Sequence, residues 1–182
     1  MKKYKILLIL VPIFLFSCVT IPKINWNNPN ETQKRVTITH DNFEKIIEYK
    51  GPNALCNYSR VGSCDGYFAG NVFIRAWKYI KTNSVSYQIY IKDLVYDDWK
   101  YYDTAYDSDG NELDTTVISR DVDSCNARGC ELYEHIGINI SRDYLVEHIT
   151  SGIQLQLSGK AGKDTFSITG AYIKGFLTKI DM

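Results

Sequence analysis

The sequence has no apolar run long enough to cross a bilayer as a helix. Its longest, Ile6 to Phe16, is eleven residues, and a spanning helix needs roughly 20. Histidine is scarce. Glu147-His148 lacks the second histidine of a zinc-hydrolase helix, and His40 and His135 stand alone. His148 falls on an apolar helical face, where a packed role fits it best. The serine-hydrolase elbow is absent, because Gly62-Ser63-Cys64-Asp65-Gly66 has its glycines one position off. A phosphate loop would require glycine at 157, where Leu157 stands. No C-x-x-C pair is present, which excludes the common redox motif. No basic cluster offers a footprint for nucleic acid. Nothing calls for a cofactor or a metal, and the chemistry named by motif is nil.

What is present begins at the N-terminus. Lys2, Lys3 and Lys5 precede Ile6 to Phe16, and Leu15-Phe16-Ser17-Cys18 follows. A positive flank and a short apolar stretch read as a secretion signal. Pro12 inside the run argues against a buried core helix. The segment resembles the lipobox of bacterial lipoproteins, with a leucine three before and a small residue one before the cysteine. That resemblance implies a signal peptide over 1–17, cleavage after Ser17, and a thioether-linked lipid on Cys18. Val19 stands where an inner-membrane lipoprotein carries aspartate, so the resemblance implies the outer membrane, periplasmic face. Cleavage leaves 182 less 17, or 165 residues, with 18 basic against 21 acidic side chains. Residues 18–35, with two prolines and four asparagines, read as a flexible tether from Cys18. Trp26 within it suits either the bilayer interface or a docking place on the domain.

Five cysteines are an odd set for an exported chain. With Cys18 lipidated, Cys56, Cys64, Cys125 and Cys130 remain, an even set in an oxidising compartment. Three connectivities are open. Loop-like composition favours the local pairs Cys56–Cys64 and Cys125–Cys130, each contributing roughly 2–2.6 kcal/mol by loop entropy. The seven residues between Cys56 and Cys64 fit a zinc site poorly.

Residues 36–182 read as one mainly β domain, an antiparallel sandwich-like fold with two short helices at about 142–150 and 170–180. Ile153, Leu155 and Leu157 alternate strictly with glutamines. Val85, Tyr87, Ile89 and Ile91 face one way; Ser86, Gln88, Tyr90 and Lys92 face the other. Leu132, Ile136, Ile138 and Ile140 repeat the pattern, with Glu134 on their apolar face. Val72 to Ile80 reads as a strand, as do Thr115 to Ser119 and Thr165 to Ile168; Val36 to Thr39 opens the domain. Asp109-Gly110 and Gly159 to Gly162 mark turns. Ser141 caps one helix; Tyr172, Ile173, Phe176, Leu177 and Ile180 line the apolar side of the other. Asp41 to Tyr49 suits a capped helix or a strand.

Nine acidic residues crowd into 97–123, but the calcium-loop reading fails. With Asp107 first, Glu112 stands where glycine is needed and Ile118 where glutamate is; the other frame puts Ala105 first. Nine of the 24 aromatics fall within residues 77–106, a composition suited to recognition of a protein, peptide or glycan, though cross-strand packing is the more ordinary use of such residues. Trp77, Trp99, Tyr101 and Tyr102 are the candidate binding residues, with Tyr101-Tyr102 the place to look for exposure. WKYYDTAYDSDGNEL, SCNARGCELYE and YIKGFL, over roughly 70–180, resemble small uncharacterised bacterial lipoproteins, which implies a compartment and no activity. The leading expectation is a membrane-anchored binding or accessory module. The alternatives are a periplasmic hydrolase using Asp97/Asp98 or Asp103/Asp107, which would need a carboxylate of raised pKa in a pocket, and a purely structural envelope protein.

Overall fold

Strict alternation produces the strand it promises at 153–159, where Ile153, Leu155 and Leu157 are buried and Gln154 and Gln156 exposed. A computed structural model describes residues 23–55, 70–127 and 129–182. The strands are β1 (Thr37–Asp41), β2 (Ile46–Lys50), β3 (Asn71–Tyr79), β4 (Ser84–Tyr96), β5 (Tyr102–Asp107), β6 (Glu112–Asn126), β7 (Gly129–Ile140), β8 (Ile153–Gly159) and β9 (Gly162–Ile168). They form one antiparallel sheet in the order β1-β2-β3-β4-β7-β6-β5-β8-β9.

The mainly β reading holds, but the strands make one sheet where two packed layers were expected. The sheet curls into a half-barrel, and β9 returns to touch β3. Long, twisted strands favour this: β4, β6 and β7 have 13, 15 and 12 residues, and strand twist accumulates into coiling. The concave side is filled by α3 (Gly170–Ile180), whose Tyr172, Ile173, Phe176, Leu177 and Ile180 are all buried, the five residues the spacing singles out. They join Ile74, Ile89, Ile91, Ile136, Ile138, Leu155 and Leu157 in one core.

α2 (Arg142–Glu147) starts at the expected cap, Ser141 Oγ accepting from Tyr144 N at 3.0 Å, but stops three residues early. His148 and Ile149 donate to carbonyls only three residues back, so the last turn tightens. The ambiguous stretch 41–49 is a hairpin. Asp41 Oδ1 accepts from the amides of Phe43 and Glu44, the bonds a helix cap would make, and Lys45 at φ 59 turns the chain back instead. Residues 115–119 were the visible part of a strand that runs from 112 to 126.

The tether read over 18–35 is packed from Ile24 onward. Ile24, Thr32 and Val36 are buried, and α1 (Pro29–Gln33) lies against α3. Gly175 makes room for it: a Cβ there would stand 2.1 Å from the Pro29 carbonyl oxygen. Thr169 Oγ1 donates to Trp26 O at 2.7 Å, and the Trp26 ring meets Tyr172 edge-on at 5.8 Å. Trp26 therefore docks on the domain.

Candidate functional site

Alternation along β3, β4 and β7 sends Ile74, Ile89 and Ile138 into the core and Arg75, Gln88 and Asn139 to the opposite, outer face. Lys50, Arg75, Gln88, Asn139 and Asp114 lie side by side across five strands. A directional chain of hydrogen bonds links the last four. Arg75 Nε and its terminal nitrogen donate to Gln88 Oε1 at 2.9 and 2.5 Å; Gln88 Nε2 donates to Asn139 Oδ1 at 2.8 Å; Asn139 Nδ2 donates to Asp114 Oδ2 at 2.9 Å. Gly137 lets Gln88 lie flat, since a Cβ there would stand 2.5 Å from the Gln88 amide carbon.

Aromatic rings flank this ladder, and each carries a cation. Lys50 Nζ lies 4.8 Å from the Phe73 centroid, and Lys92 Nζ 3.6 Å from that of Tyr133. The Arg75 guanidinium sits 4.7 Å from Trp77 and 4.8 Å from Tyr90. Tyr90 stacks on Phe73 at 4.8 Å. Its hydroxyl bonds His135 Nδ1, and His135 Nε2 faces Asp121 Oδ2 at 3.2 Å. The neutral tautomer with hydrogen on Nε2 satisfies both contacts. Burial favours that neutral form, lowering His135 despite the pull of Asp121, and burial also lowers Arg75. None of the ion pairs among the described residues includes Lys50, Arg75 or Lys92.

The inner face carries a second polar group of opposite sign. β5 pairs with β6 only at Ala105↔Leu113 and Tyr106↔Glu112, so residues 100–102 have no ladder partner on β6. Glu134, with no exposed surface, takes their amides instead: Lys100 N at 2.5 Å, Tyr101 N at 2.9 Å and Tyr102 N at 3.0 Å. Arg120 on β6 donates to Glu134 Oε2 at 3.1 Å and to the Tyr102 carbonyl at 2.9 Å. Two side chains thus replace backbone bonds where strands part, and every charge has a partner. Asp93, directly opposite Glu134, reaches the Tyr102 hydroxyl at 3.0 Å; Asp164 on β9 contacts the same hydroxyl. Burial, reinforced by Asp164 and Glu134, pushes the Asp93 carboxyl up to about 6, although the Tyr102 hydrogen bond opposes it. Burial and the two aspartates keep the Tyr102 phenol protonated.

The four candidate binding residues do not form one surface. Trp77 lies on the outer face beneath Arg75. Trp99 is half-buried between β4 and β5. Tyr101 is exposed, with φ 57 and the Arg120 guanidinium 5.4 Å from its ring. Tyr102 is fully buried and belongs to the inner cluster. Cys125 and Cys130 are bonded across the β6–β7 hairpin; Cys18, Cys56 and Cys64 lie outside the described residues. His148 is half-buried, its ring 4.3 Å from Tyr144.

The aspartate pairs do not converge on one cleft. Asp97, Asp98 and Asp103 are exposed. Asp107 braces the β5–β6 turn, accepting from Asp109 N and from Asn111 N and Nδ2; partial burial raises its carboxyl, but these bonds outweigh it and hold it low. It lines a shallow cleft of about 410 Å³ in which Asp103 takes no part. The sequence reading missed Asp93, Arg120 and Asp164, and overlooked that Lys50, Arg75 and Lys92 lie together. One signal was present: Asp93 continues the apolar register of Tyr87, Ile89 and Ile91, as Glu134 does on β7.

No protein family, curated protein or solved structure matches this chain. Among the described residues no helix is long and apolar enough to cross a membrane.

Proposed function

We propose that this chain is an envelope lipoprotein, anchored through lipid on Cys18 to the outer membrane and facing the periplasm, that acts as a binding module for an acidic partner protein through the outer face of β2, β3, β4 and β7. One observation carries the reading: three cations rest on aromatic rings of a single face with no carboxylate paired to them. Arginine and aromatic side chains are the residues enriched at protein interfaces. Gln88 holds Arg75 in place, so little side-chain freedom is lost on contact. Sugars stack on open ring faces, whereas here cations lie over the rings; a partner that brings carboxylates fits better. Docking of the chain from Ile24 leaves five residues between Cys18 and Ile24, a reach of at most roughly 20 Å, so the partner would meet this face near the membrane.

Calorimetry of the full lipidated chain in neutral detergent tests the proposal, with poly-L-glutamate as probe and polygalacturonate beside it. Salt-sensitive binding of polyglutamate, lost when Lys50, Arg75 and Lys92 are all changed to glutamate, supports the reading. Preference for polygalacturonate would replace the protein partner by an acidic glycan, and binding unaffected by the triple change would refute the assigned face. Intact mass on the same sample reads the diacylglycerol on Cys18.

A further inference from the structure

β4 and β9 are not sheet neighbours: four strands separate them in the order, and only the curl of the sheet brings β9 back across the concave side. At that crossing one phenol faces two carboxylates. Tyr102 Oη lies 3.0 Å from Asp93 Oδ2, and Asp164 Oδ2 contacts it from β9. A phenol has one hydrogen to donate. If both aspartates are ionised, only one of them receives it, and the other carboxylate oxygen faces a lone pair. If Asp93 carries a proton, the bonds become sequential: Asp93 donates to the Tyr102 oxygen, and Tyr102 donates to Asp164. Each contact is then a hydrogen bond, and the charge of the pair falls from two to one.

We propose that Asp93, Tyr102 and Asp164 form a proton-dependent clasp that holds the β8–β9 ribbon across the open side of the half-barrel in mildly acidic conditions and loosens it as the pH rises. The neighbouring carboxylates favour this assignment. Glu134 on β7 stands beside Asp93 and disfavours a second ionised carboxylate. The ammonium of Lys100, before β5, opposes this, but less than burial and the two carboxylates favour it. Arg120 on β6 is occupied by Glu134 and the Tyr102 carbonyl. Burial and these neighbours together push the Asp93 carboxyl up to about 6. When the clasp loosens, the exposed edge β9 retains its backbone pairing to β8 but loses its side-chain link to β4.

Hydrogen exchange of the full lipidated chain in detergent, at pH 5 and pH 7.5, reads the clasp. Protection factors remove the intrinsic pH dependence of exchange, and the β3 amides serve as internal reference. The shift of Asp93 gives a ceiling of about tenfold between these pH values, because each unit of displacement is a factor of ten in the linked equilibrium. The β9 amides are expected to be about five- to tenfold better protected at pH 5, with β3 unchanged. Asp93→Asn, a neutral side chain that still donates, should give the high protection at both pH values. Tyr102→Phe should give low protection at both. A pH-independent β9 in the unaltered chain, or an undiminished pH response in Asp93→Asn, would overturn the clasp. Neither result bears on the outer face, whose binding is read at constant pH by the polyglutamate titration.

Discussion

The two faces of β4 and β7 handle charge in opposite ways. Outward, Arg75 and Lys92, half-buried, and Lys50, exposed, lie on rings with no opposite charge bound to them. Inward, Glu134 is sealed from water, and three amides and a guanidinium converge on it. A ring gives a cation modest attraction while leaving its outer side hydrated; a buried carboxylate persists only when all its hydrogen bonds are made. Inner charges are thus committed to architecture, and outer ones keep a hydrated side. Substitutions on the two faces should separate stability from binding.

The largest effect is expected at Glu134. Glu134→Ala strands the amides of residues 100–102 and the Arg120 guanidinium, and should lower unfolding stability by ~3–5 kcal/mol in urea titrations. A loss under ~1 kcal/mol would mean that water replaces the carboxylate easily and that the inner face is no more committed than the outer. On the outer face Gly137→Val is the counterpart. Its side chain displaces the Gln88 amide, breaks the ladder between Arg75 and Asn139, and should cost ~1–3 kcal/mol, because the buried Gln88 must find another place. Arg75, no longer braced, should also weaken the polyglutamate contact; an unchanged affinity would show that bracing contributes nothing.

The same contrast extends to pH. The folded-state value of Asp93, about 6, lies above the ordinary 3.8, so the folded chain holds that proton more tightly than the unfolded one. The stabilisation is complete below about 3.8 and is lost as pH rises through about 6. With screening at a partly exposed site, it amounts to ~1–2 kcal/mol, and chemical denaturation of Asp93→Asn should lack that difference between pH 4.5 and 7.5. His135 changes in the other direction on the outer face: burial lowers it, so its neutral form is the stable one at the higher pH.

How much of this was legible depends on whether a residue answers to neighbours in sequence or in space. The buried set of α3 and the alternation of β8 are local, and both read directly. Asp41 was ambiguous for a physical reason: a carboxylate accepting amides two and three residues ahead serves a helix start and an Asx turn alike, and only the positive φ of Lys45 decides. One curled sheet and two packed sheets share the same alternation, so periodicity could not distinguish them. Glu134 broke the apolar register of β7 and was visible as an exception. Its meaning was not, because its three amide donors lie more than thirty residues away, and Asp164 is 62 residues from Tyr102.

The smallest stability effect, and the most discriminating, belongs to Lys92. Its ammonium rests over Tyr133 on a half-buried outer position and pairs with no carboxylate among the described residues. Lys92→Glu removes one cation–ring contact and lowers the field at His135, where Lys92 now disfavours the imidazolium. The cost in stability should stay within about 0.5–1 kcal/mol. Polyglutamate affinity should fall about tenfold at low salt, with the difference narrowing as salt rises, because a reversed charge repels what the native one attracts. A large stability loss would place Lys92 with the architectural charges of the inner face, whereas binding that falls while the fold holds is the behaviour of a surface kept for a partner.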